Sequence, residues 1–172
     1  MSKQTDYQQL AQTILKQFDF ESVLEIGCGE GYLLNEFKKA NKRIRGYDLP
    51  QDTWKSLKEI ERDVVMTDIN KPFESQADLV ICLEVVEHSP TPLYIFQNII
   101  RNTKRYIIFS GAQINQPGVG HINCYPYSCW MYEFARRGYA YKLNKTINLL
   151  KELSFDTCWW LLNNLAVFEK EV

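Results

Sequence analysis

Apolar and polar residues follow two different spacings along this chain. Short apolar runs typical of buried strands cover residues 22–27, 43–49, 63–69, 77–83, 105–112 and 165–170. Apolar residues at helical spacing predict helices over residues 5–18, 31–41, 52–61, 91–102, 125–138 and 144–153. Because strands and helices alternate, we predict an α/β fold with a mostly parallel sheet and helices on both faces.

The length and charge of the chain indicate how many domains it forms and which kinds of partner it binds. We predict a single domain over residues 1–172, with an N-terminal helix within 1–20 and a loop, helices and the final strand over 113–172. The net charge of -1 shows no excess of basic residues of the kind that nucleic-acid-binding proteins carry, which argues against a nucleic-acid partner. No signal-peptide core and no run of bilayer length occur, so we expect a cytoplasmic protein without a membrane partner.

The cysteines predict thiols rather than cross-links or metal ligands. Cys28, Cys82, Cys124, Cys129 and Cys158 are odd in number and form no CxxC pair, so we expect buried or half-buried free thiols. His121, Cys124 and Cys129 lack a fourth ligand at zinc-finger spacing.

A glycine-rich turn follows the first predicted strand in the sequence VLEIGCGEG. Gly27, Gly29 and Gly31 are spaced GxGxG, and Glu25 and Glu30 flank them. These two carboxylates would repel a pyrophosphate bound at the start of the next helix. S-adenosylmethionine carries a sulfonium, an ammonium and no phosphate, so its charge complements the two acids. The turn therefore predicts a cationic nucleoside as the ligand.

Acidic residues also end the next two predicted strands. Asp48 lies roughly 20 residues beyond the turn, where a carboxylate can accept both hydroxyls of an adenosine ribose. Asp68 and Ile69 end the third run, where they could meet the edge and the face of an adenine. A capping or turn role is the alternative for each aspartate.

In order and spacing, VLEIGCGEG, GYDL, TDI and ADLVICLEVVEH resemble the motifs of class I S-adenosylmethionine-dependent methyltransferases over about residues 20–112. The resemblance implies a single-domain Rossmann-like fold with a mostly parallel seven-stranded sheet, and S-adenosylmethionine as cofactor. It implies that the turn surrounds the methionine part of the cofactor and that Asp48 holds the ribose. Leu49, Asp68 and Ile69 would contact the adenine, and the backbone of Leu83 and Glu84 would lie beside the methyl-bearing sulfur. The implied cofactor-binding residues are Glu25, Gly27, Cys28, Gly29, Gly31, Asp48, Leu49, Asp68, Ile69 and Leu83.

The candidate catalytic residues follow the fourth and fifth predicted strands. Glu84, Glu87 and His88 leave the fourth strand, and His121 follows the long loop over 111–120 after the fifth. Loops after these strands open onto one edge of such a sheet, so both histidines can reach one site. On a helical stretch, Glu84 and Glu87 would share a face.

These residues allow two chemistries and one structural role. His121, which we favour, or His88 can act as a general base toward an acceptor hydroxyl, with Glu84 beside them. Alternatively, Glu84, Glu87, His88 and His121 bind a divalent metal ion. The ExxEH pattern with a distant histidine is similar to the metal site of small-RNA 3′-terminal 2′-O-methyltransferases, and ubiquinone-pathway O-methyltransferases have a like EH signature. Structural hydrogen bonds at a helix start are the third interpretation of Glu87 and His88.

The segment from residue 118 resembles small methyltransferases of sugar, glycan and secondary-metabolite pathways. The matching positions are Gly118, Gly120, His121, Asn123, Trp130 and Gly138. The resemblance implies an enzyme that transfers a methyl group to an oxygen, rather than a nitrogen, of a small polar acceptor such as a sugar, with residues 113–172 on the acceptor side. A Mg²⁺-dependent RNA 2′-O-methyltransferase and a non-catalytic S-adenosylmethionine-binding module are the alternatives.

Aromatic residues in the same segment have two interpretations. Tyr125, Tyr127, Trp130 and Tyr132 could stack on a sugar or a base. Helical spacing favours the core for Trp130 and Phe134.

Overall fold

The strands form one sheet with helices on both faces in the computed structural model, which describes residues 2–50 and 57–171. The strands are β1 (Ser22–Ile26), β2 (Arg43–Asp48), β3 (Val64–Met66), β4 (Ala77–Leu83), β5 (Thr103–Ser110), β6 (Tyr139–Tyr141) and β7 (Ala166–Lys170). The helices are α1 (Lys3–Gln17), α2 (Tyr32–Lys39), α3 (Pro92–Asn102), α4 (Tyr127–Ala135), α5 (Leu143–Lys151) and α6 (Leu161–Asn164). No helix in these two ranges is long and apolar enough to cross a bilayer.

The strand order is β3-β2-β1-β4-β5-β7-β6. The first five strands pair in parallel, whereas β7 runs antiparallel to both β5 and β6. The chain order reverses between β1 and β4, so a crevice opens beyond the carboxyl ends of these two strands. The predicted α/β fold with a mostly parallel seven-stranded sheet is confirmed.

Successive residues of the central strands pack on opposite faces of the sheet, which explains why their sequences are almost continuously apolar. In β4, Leu79 and Ile81 belong to the core under α1, α2 and α5, while Val80 and Cys82 belong to the core under α3 and α4. Trp130 and Phe134 are buried in this second core, so their predicted core role is confirmed.

Several predicted boundaries are wrong. The third strand ends at Met66 instead of residue 69, because the Asp68 carboxylate accepts the Asn70 amide at 3.1 Å and turns the chain. Within the predicted helix over 52–61, residues 51–56 lie outside the described part, and Lys58–Asp63 form a 3₁₀ helix instead of an α-helix. Strand β6 was not predicted, since its three residues are too few for a recognisable alternation.

The cysteines are free, as predicted, and differ in exposure. Cys28, Cys82 and Cys158 are buried and Cys124 is half-buried. Cys129 is exposed, which corrects the expectation for that residue, because α4 turns Trp130 and Phe134 toward the core and not Cys129.

One aspartate fastens the start of β1 to β4. A single oxygen of Asp78, Oδ2, accepts the backbone amides of Glu21 and Ser22 and the Ser22 hydroxyl, at 3.0, 2.9 and 2.8 Å. Burial by itself would raise the pKa of Asp78, but these hydrogen bonds outweigh it and the pKa lies below its ordinary value. The charged carboxylate therefore stabilises the fold at neutral pH.

Asp78→Ala should lower the free energy of unfolding by roughly 1–3 kcal/mol at neutral pH, because three donors lose their acceptor. Asp78→Asn, which keeps one oxygen, is the control and should lose less. The stabilisation by the charge is present above the unfolded-state pKa of about 3.9 and disappears as the pH falls through the lower folded-state pKa. Urea unfolding between pH 7 and pH 3 should show the gap between wild type and Asp78→Ala narrowing in acid, and a constant gap would contradict this.

Candidate active site

The glycine turn bends the chain around the end of β2. The amides of Gly27 and Cys28 both donate to the carbonyl of Tyr47, at 2.7 and 3.3 Å. Gly27 has φ +76°, and a Cβ at this position would lie 2.2 Å from Cγ2 of Val85. Position 27 therefore needs glycine both for its left-handed backbone and for the close approach of the loop after β4.

The Asp48 carboxylate ties this turn to β2. Its Oδ2 accepts the Gly29 amide at 2.6 Å, and its Oδ1 accepts the Leu49 amide at 2.7 Å. Burial raises the pKa of Asp48, and these two amides lower it in part. Each carboxylate oxygen retains acceptor capacity for a further donor, such as a ribose hydroxyl.

Glu25 is the most deeply buried acid of the turn. It is 4% exposed, and its Oε2 has no hydrogen-bond partner. Burial and then the nearby Asp48 raise the pKa of Glu25, whereas the charge of Lys3 lowers it. An unpaired buried carboxylate is costly unless a donor or a cation reaches it, so this side of the crevice suits a positively charged group.

Three adjoining cavities of about 200, 370 and 310 Å³ follow the carboxyl ends of the strands, and Glu84 lines all of them. The first lies between α1 and the glycine turn, and its walls include Lys3, Tyr7, Glu25, Gly27, Cys28, Gly29, Leu83 and Trp160. The second passes over β2, and its walls include Asp48, Leu49, Ile69, Asn70, Val85 and His88. The third faces the loop after β5, and its walls include His88, Gln116, Val119, His121, Trp159 and Trp160.

Glu84 is held at the meeting point by two distant segments. Its carboxylate accepts the side-chain amide of Gln116 at 3.0 Å and that of Asn164 at 3.1 Å. The residue itself has φ +52°, and its backbone amide donates to Ser110. The 3₁₀ turn that follows begins at Val86 and leaves Glu84 outside it, so the face that Glu84 and Glu87 would share on a helix does not form.

The two histidines meet beside this glutamate, with ring centroids 5.0 Å apart. His88 Nδ1 lies 3.1 Å from the carbonyl oxygen of Gly120, and His121 Nδ1 lies 3.1 Å from that of Gln116. Because a carbonyl oxygen only accepts, each Nδ1 carries the proton in the neutral ring. Nε2 is then the basic nitrogen of both rings, the atom that takes a proton or binds a metal ion. That of His121 lies close to Gly118, where a Cβ would approach it to 2.2 Å.

Glu87 completes this cluster from inside the protein. It is fully buried, and neither carboxylate oxygen makes a hydrogen bond of regular geometry, although the backbone amides of Glu87 and Ala112 lie near enough to lower its pKa in part. Burial and then the charge of Glu84 raise the pKa of Glu87 to about 8. One ligand atom each from Glu87, His88 and His121 lie within 4.8 Å of one another, so these three residues could hold a divalent cation. Glu84 is outside this group, although the sequence pattern included it.

The structure brings together most of the residues that the sequence singled out. Of the ten cofactor candidates, eight line the first or second cavity, and Gly31 and Asp68 line neither. Gly31 precedes α2 with φ +82°, and a Cβ at this position would lie 2.0 Å from Ile60 Cδ1. Glycine is therefore needed there for the backbone conformation and for the close approach of Ile60. The side chain of Asp68 is 42% exposed and accepts from Asn70, and Asn70 lines the second cavity.

Sequence reasoning missed site residues from the start of the chain, from the loop after β5 and from the segment around α6. Lys3 and Tyr7 on α1 and Trp160 before α6 line the first cavity. Gln116 and Asn164 hold Glu84. Trp160 and Asn164 lie in the stretch WWLLNNLAVF, which resembles the small methyltransferases, but no sequence signal places any of these residues at the site, and only their approach in space reveals them.

Comparison with known proteins supplies the family. The profile described as a methyltransferase domain matches residues 3–119. A ubiquinone biosynthesis O-methyltransferase of Hydrogenovibrio crunogenus is 28% identical over 129 residues, 58% of this chain and 54% of that protein. One from Vibrio cholerae is 29% identical over 104 residues, 54% of this chain and 42% of that protein. The chain thus spans about half the length of the curated relatives it matches.

Solved structures share the fold. Magnesium protoporphyrin IX methyltransferase from Synechocystis with bound SAH has a TM-score of 0.68 at 15% identity, covering 98% of this chain and 83% of that one. The O-methyltransferase of a trans-AT PKS multienzyme from Brevibacillus brevis, in complex with S-adenosyl-L-homocysteine, has a TM-score of 0.67 at 14% identity, covering 97% and 72%. Because the profile matches well over half of a chain with this fold and this crevice, the chain belongs to the methyltransferase domain family.

Proposed function

We propose that this chain is an enzyme that transfers a methyl group from S-adenosylmethionine to an oxygen of a small acceptor. The observation that carries the proposal is the Glu25 carboxylate, which is buried with an unpaired oxygen in the wall of the first cavity. A phosphate-bearing cofactor would bring further negative charge beside Glu25 and Glu30. The ammonium of S-adenosylmethionine would instead supply a positive partner for the Glu25 carboxylate.

The cofactor would span the first two cavities. Its methionine part fits beside Glu25, the ribose hydroxyls reach Asp48, and the adenine packs between Leu49 and Ile69. Asn70 lines the second cavity and is our candidate for the adenine edge, in addition to the predicted Asp68. The methyl-bearing sulfur would then lie near Leu83 and Glu84, at the entrance of the third cavity.

The acceptor would occupy the third cavity. Val119, Trp159 and Trp160 give it apolar walls, and His88, His121 and Glu84 form its polar end. A ring can pack on an indole while a hydroxyl points to the histidines, which suits a sugar or a phenol. The relatives from Hydrogenovibrio and Vibrio are named as O-methyltransferases, which supports oxygen over nitrogen as the atom methylated.

Catalysis would rest mainly on alignment, because the sulfonium already activates the methyl group. His121 Nε2 would take the proton of the hydroxyl as the oxygen attacks the methyl carbon, the sulfur–methyl bond would break, and neutral S-adenosylhomocysteine would leave. The hydrogen bond from Nδ1 to the carbonyl of Gln116 would hold the ring. Glu87, whose pKa is raised to about 8, would stabilise the imidazolium of His121 when it gives up its own proton. Rate acceleration then depends on how rigidly the loop after β5 is held.

A metal-assisted variant of the same reaction is favoured by the unpaired oxygens of Glu87. Glu87, His88 and His121 fit a divalent ion, because a buried carboxylate and two imidazole nitrogens are ordinary ligands and each Nδ1 donates to a carbonyl. Such an ion would lower the pKa of the acceptor hydroxyl.

S-adenosylhomocysteine should bind the purified protein in preference to NAD or ATP, because the two nucleotides carry phosphates to an acidic turn. Isothermal titration of each ligand, followed by displacement of bound S-adenosylhomocysteine with NAD or ATP, measures the order of the three affinities. Tighter binding of NAD or ATP would overturn the proposed cofactor.

His121→Ala should lower turnover by ~100-fold or more and leave the affinity for S-adenosylhomocysteine nearly unchanged, if His121 is the base. Turnover is measured as S-adenosylhomocysteine released with a panel of monocyclic phenols and hexoses. His88→Ala is the matched comparison and should lower turnover less than His121→Ala does. The opposite order would make His88 the base, and no turnover with any acceptor, although cofactor binds, would favour the binding module.

Mn²⁺ should bind the wild-type protein, and Glu87→Gln should weaken that binding by about tenfold or more, because the variant removes the anionic ligand. Glu30→Gln is the control, since it removes a carboxylate of the first cavity that lies outside the ligand group. Electron paramagnetic resonance measures free Mn²⁺. Equal Mn²⁺ affinity of wild type and Glu87→Gln, with turnover unchanged by chelator, would reject the metal-assisted variant.

A further inference from the structure

Three polar side chains from remote segments bond to one another where the cavities meet. Asn164 Nδ2 donates to Glu84 Oε1 at 3.1 Å and to Gln116 Oε1 at 2.7 Å. Gln116 Nε2 donates to Glu84 Oε2 at 3.0 Å, so each of the three side chains contacts the other two. Asn164 ends α6, Gln116 lies in the loop after β5, and Glu84 follows β4. We call these three residues the polar clamp, since they join three loops that are far apart in sequence.

The hydrogen bonds of the polar clamp fix which way both carboxamides face. If the Asn164 carboxamide were turned over, its oxygen would point at two acceptors, the Glu84 carboxylate and Gln116 Oε1. Gln116 Oε1 also accepts the backbone amide of Gln113 at 3.2 Å, which settles its orientation in the same way. The clamp therefore has one arrangement of donors and acceptors.

Packing by itself does not explain an asparagine at position 164. The residue is 1% exposed, and its Oδ1 has no hydrogen-bond partner among the described residues. Because an unpaired buried oxygen is unfavourable, the core alone would favour an apolar side chain there. The two hydrogen bonds of Nδ2 are then the reason for the asparagine.

The backbone of Gln116 carries this constraint to His121. Its carbonyl oxygen lies 3.1 Å from His121 Nδ1 and accepts the proton of that nitrogen. The side chain of the same residue is held by Asn164 and Glu84. Leu83 and Glu84 line the first cavity, where the methyl-bearing sulfur would lie. The polar clamp thus sets the distance between the proposed base and the proposed methyl donor.

We propose that Asn164 is a positioning residue for methyl transfer, which holds His121 at the acceptor hydroxyl by way of Gln116. This assignment rests on the proposed function. The described lining residues of the three cavities do not include Asn164, so it touches neither the cofactor site nor the acceptor site. A displacement of about 1 Å at a reacting group can lower a rate by about 100-fold. Asn164 therefore acts on turnover and not on cofactor binding.

Asn164→Leu keeps the approximate size of the side chain and removes its two hydrogen bonds. We expect it to lower turnover by about 10- to 100-fold at saturating acceptor and to change the affinity for S-adenosylhomocysteine by less than about twofold. Turnover is measured with the same panel of monocyclic phenols and hexoses. Asn163→Leu is the matched control, because this neighbouring asparagine is exposed, and it should behave as wild type.

Gln116→Met is the second variant, since it removes the side-chain links and keeps the backbone carbonyl that holds His121. It should lower turnover as Asn164→Leu does, and the double variant should lose no more than about twofold beyond either single variant, because one substitution already opens the clamp. A double variant that loses the product of the two single effects would contradict a shared role.

The decisive readout is His121 itself, which a purely structural role of Asn164 would leave unaffected. In a His121→Ala background, Asn164→Leu should lower turnover by less than about twofold further, because the group that it positions is gone. Imidazole nitrogen NMR of the metal-free protein reports the tautomer of His121. Wild type should show the proton on Nδ1, and Asn164→Leu should show a mixture of both tautomers, since the tautomer depends on the hydrogen bond to the carbonyl.

Every outcome supports or overturns the assignment. Losses that multiply with His121→Ala, or a cofactor affinity that falls as much as turnover, would mean that Asn164 only supports the fold. Unchanged turnover and an unchanged tautomer in Asn164→Leu would mean that His121 is held without the clamp. If wild type binds S-adenosylhomocysteine but methylates no acceptor, the proposed reaction fails and the tautomer alone decides whether Asn164 positions His121. If wild type does not bind S-adenosylhomocysteine, the proposed function itself fails.

Discussion

The hydrogen bonds of the Asp48 carboxylate fix the geometry on which the crevice depends. By accepting the amides of Gly29 and Leu49, one side chain joins the turn after β1 to the end of β2. The same carboxylate lies within the field of Glu25 and raises its pKa. The bond that shapes the turn therefore also makes it electrostatically selective, since a buried pair of acids favours a ligand that brings positive charge.

The acidic crevice also explains why the two ends of the chain matter. Asp6 on α1 binds the segment before α6, and that segment carries Trp159 and Trp160. Trp160 lines both the first and the third cavity, so one indole separates the proposed cofactor site from the proposed acceptor site. Packing of α1 thereby shapes the walls of both cavities.

The histidine pair depends on the loop after β5 in a similar way. The carbonyl of Glu87 accepts the amides of Ile122 and Asn123 at 2.9 and 3.0 Å, so the loop that carries His121 is bonded to the turn that carries His88. Carbonyl partners fix the tautomer of each ring, and this leaves the two Nε2 atoms as the basic nitrogens beside the buried acid. A proton acceptor and a metal ligand need the same arrangement, which is why one cluster supports both chemistries.

The sequence by itself determined the features that arise from near neighbours. Alternating apolar runs gave the α/β class and six of the strands, and the GxGxG turn with Glu25 and Asp48 indicated the crevice and its charge, because these signals lie within a strand, a turn or one βαβ unit. Only the tertiary structure decided which residues from remote segments complete the site, since nothing in the local sequence around Lys3, Gln116 and Asn164 indicates that they approach the crevice. The antiparallel insertion of β7 between β5 and β6, and the turn that leaves Asn70 rather than Asp68 in the cavity wall, also depend on pairing and packing across long sequence separations.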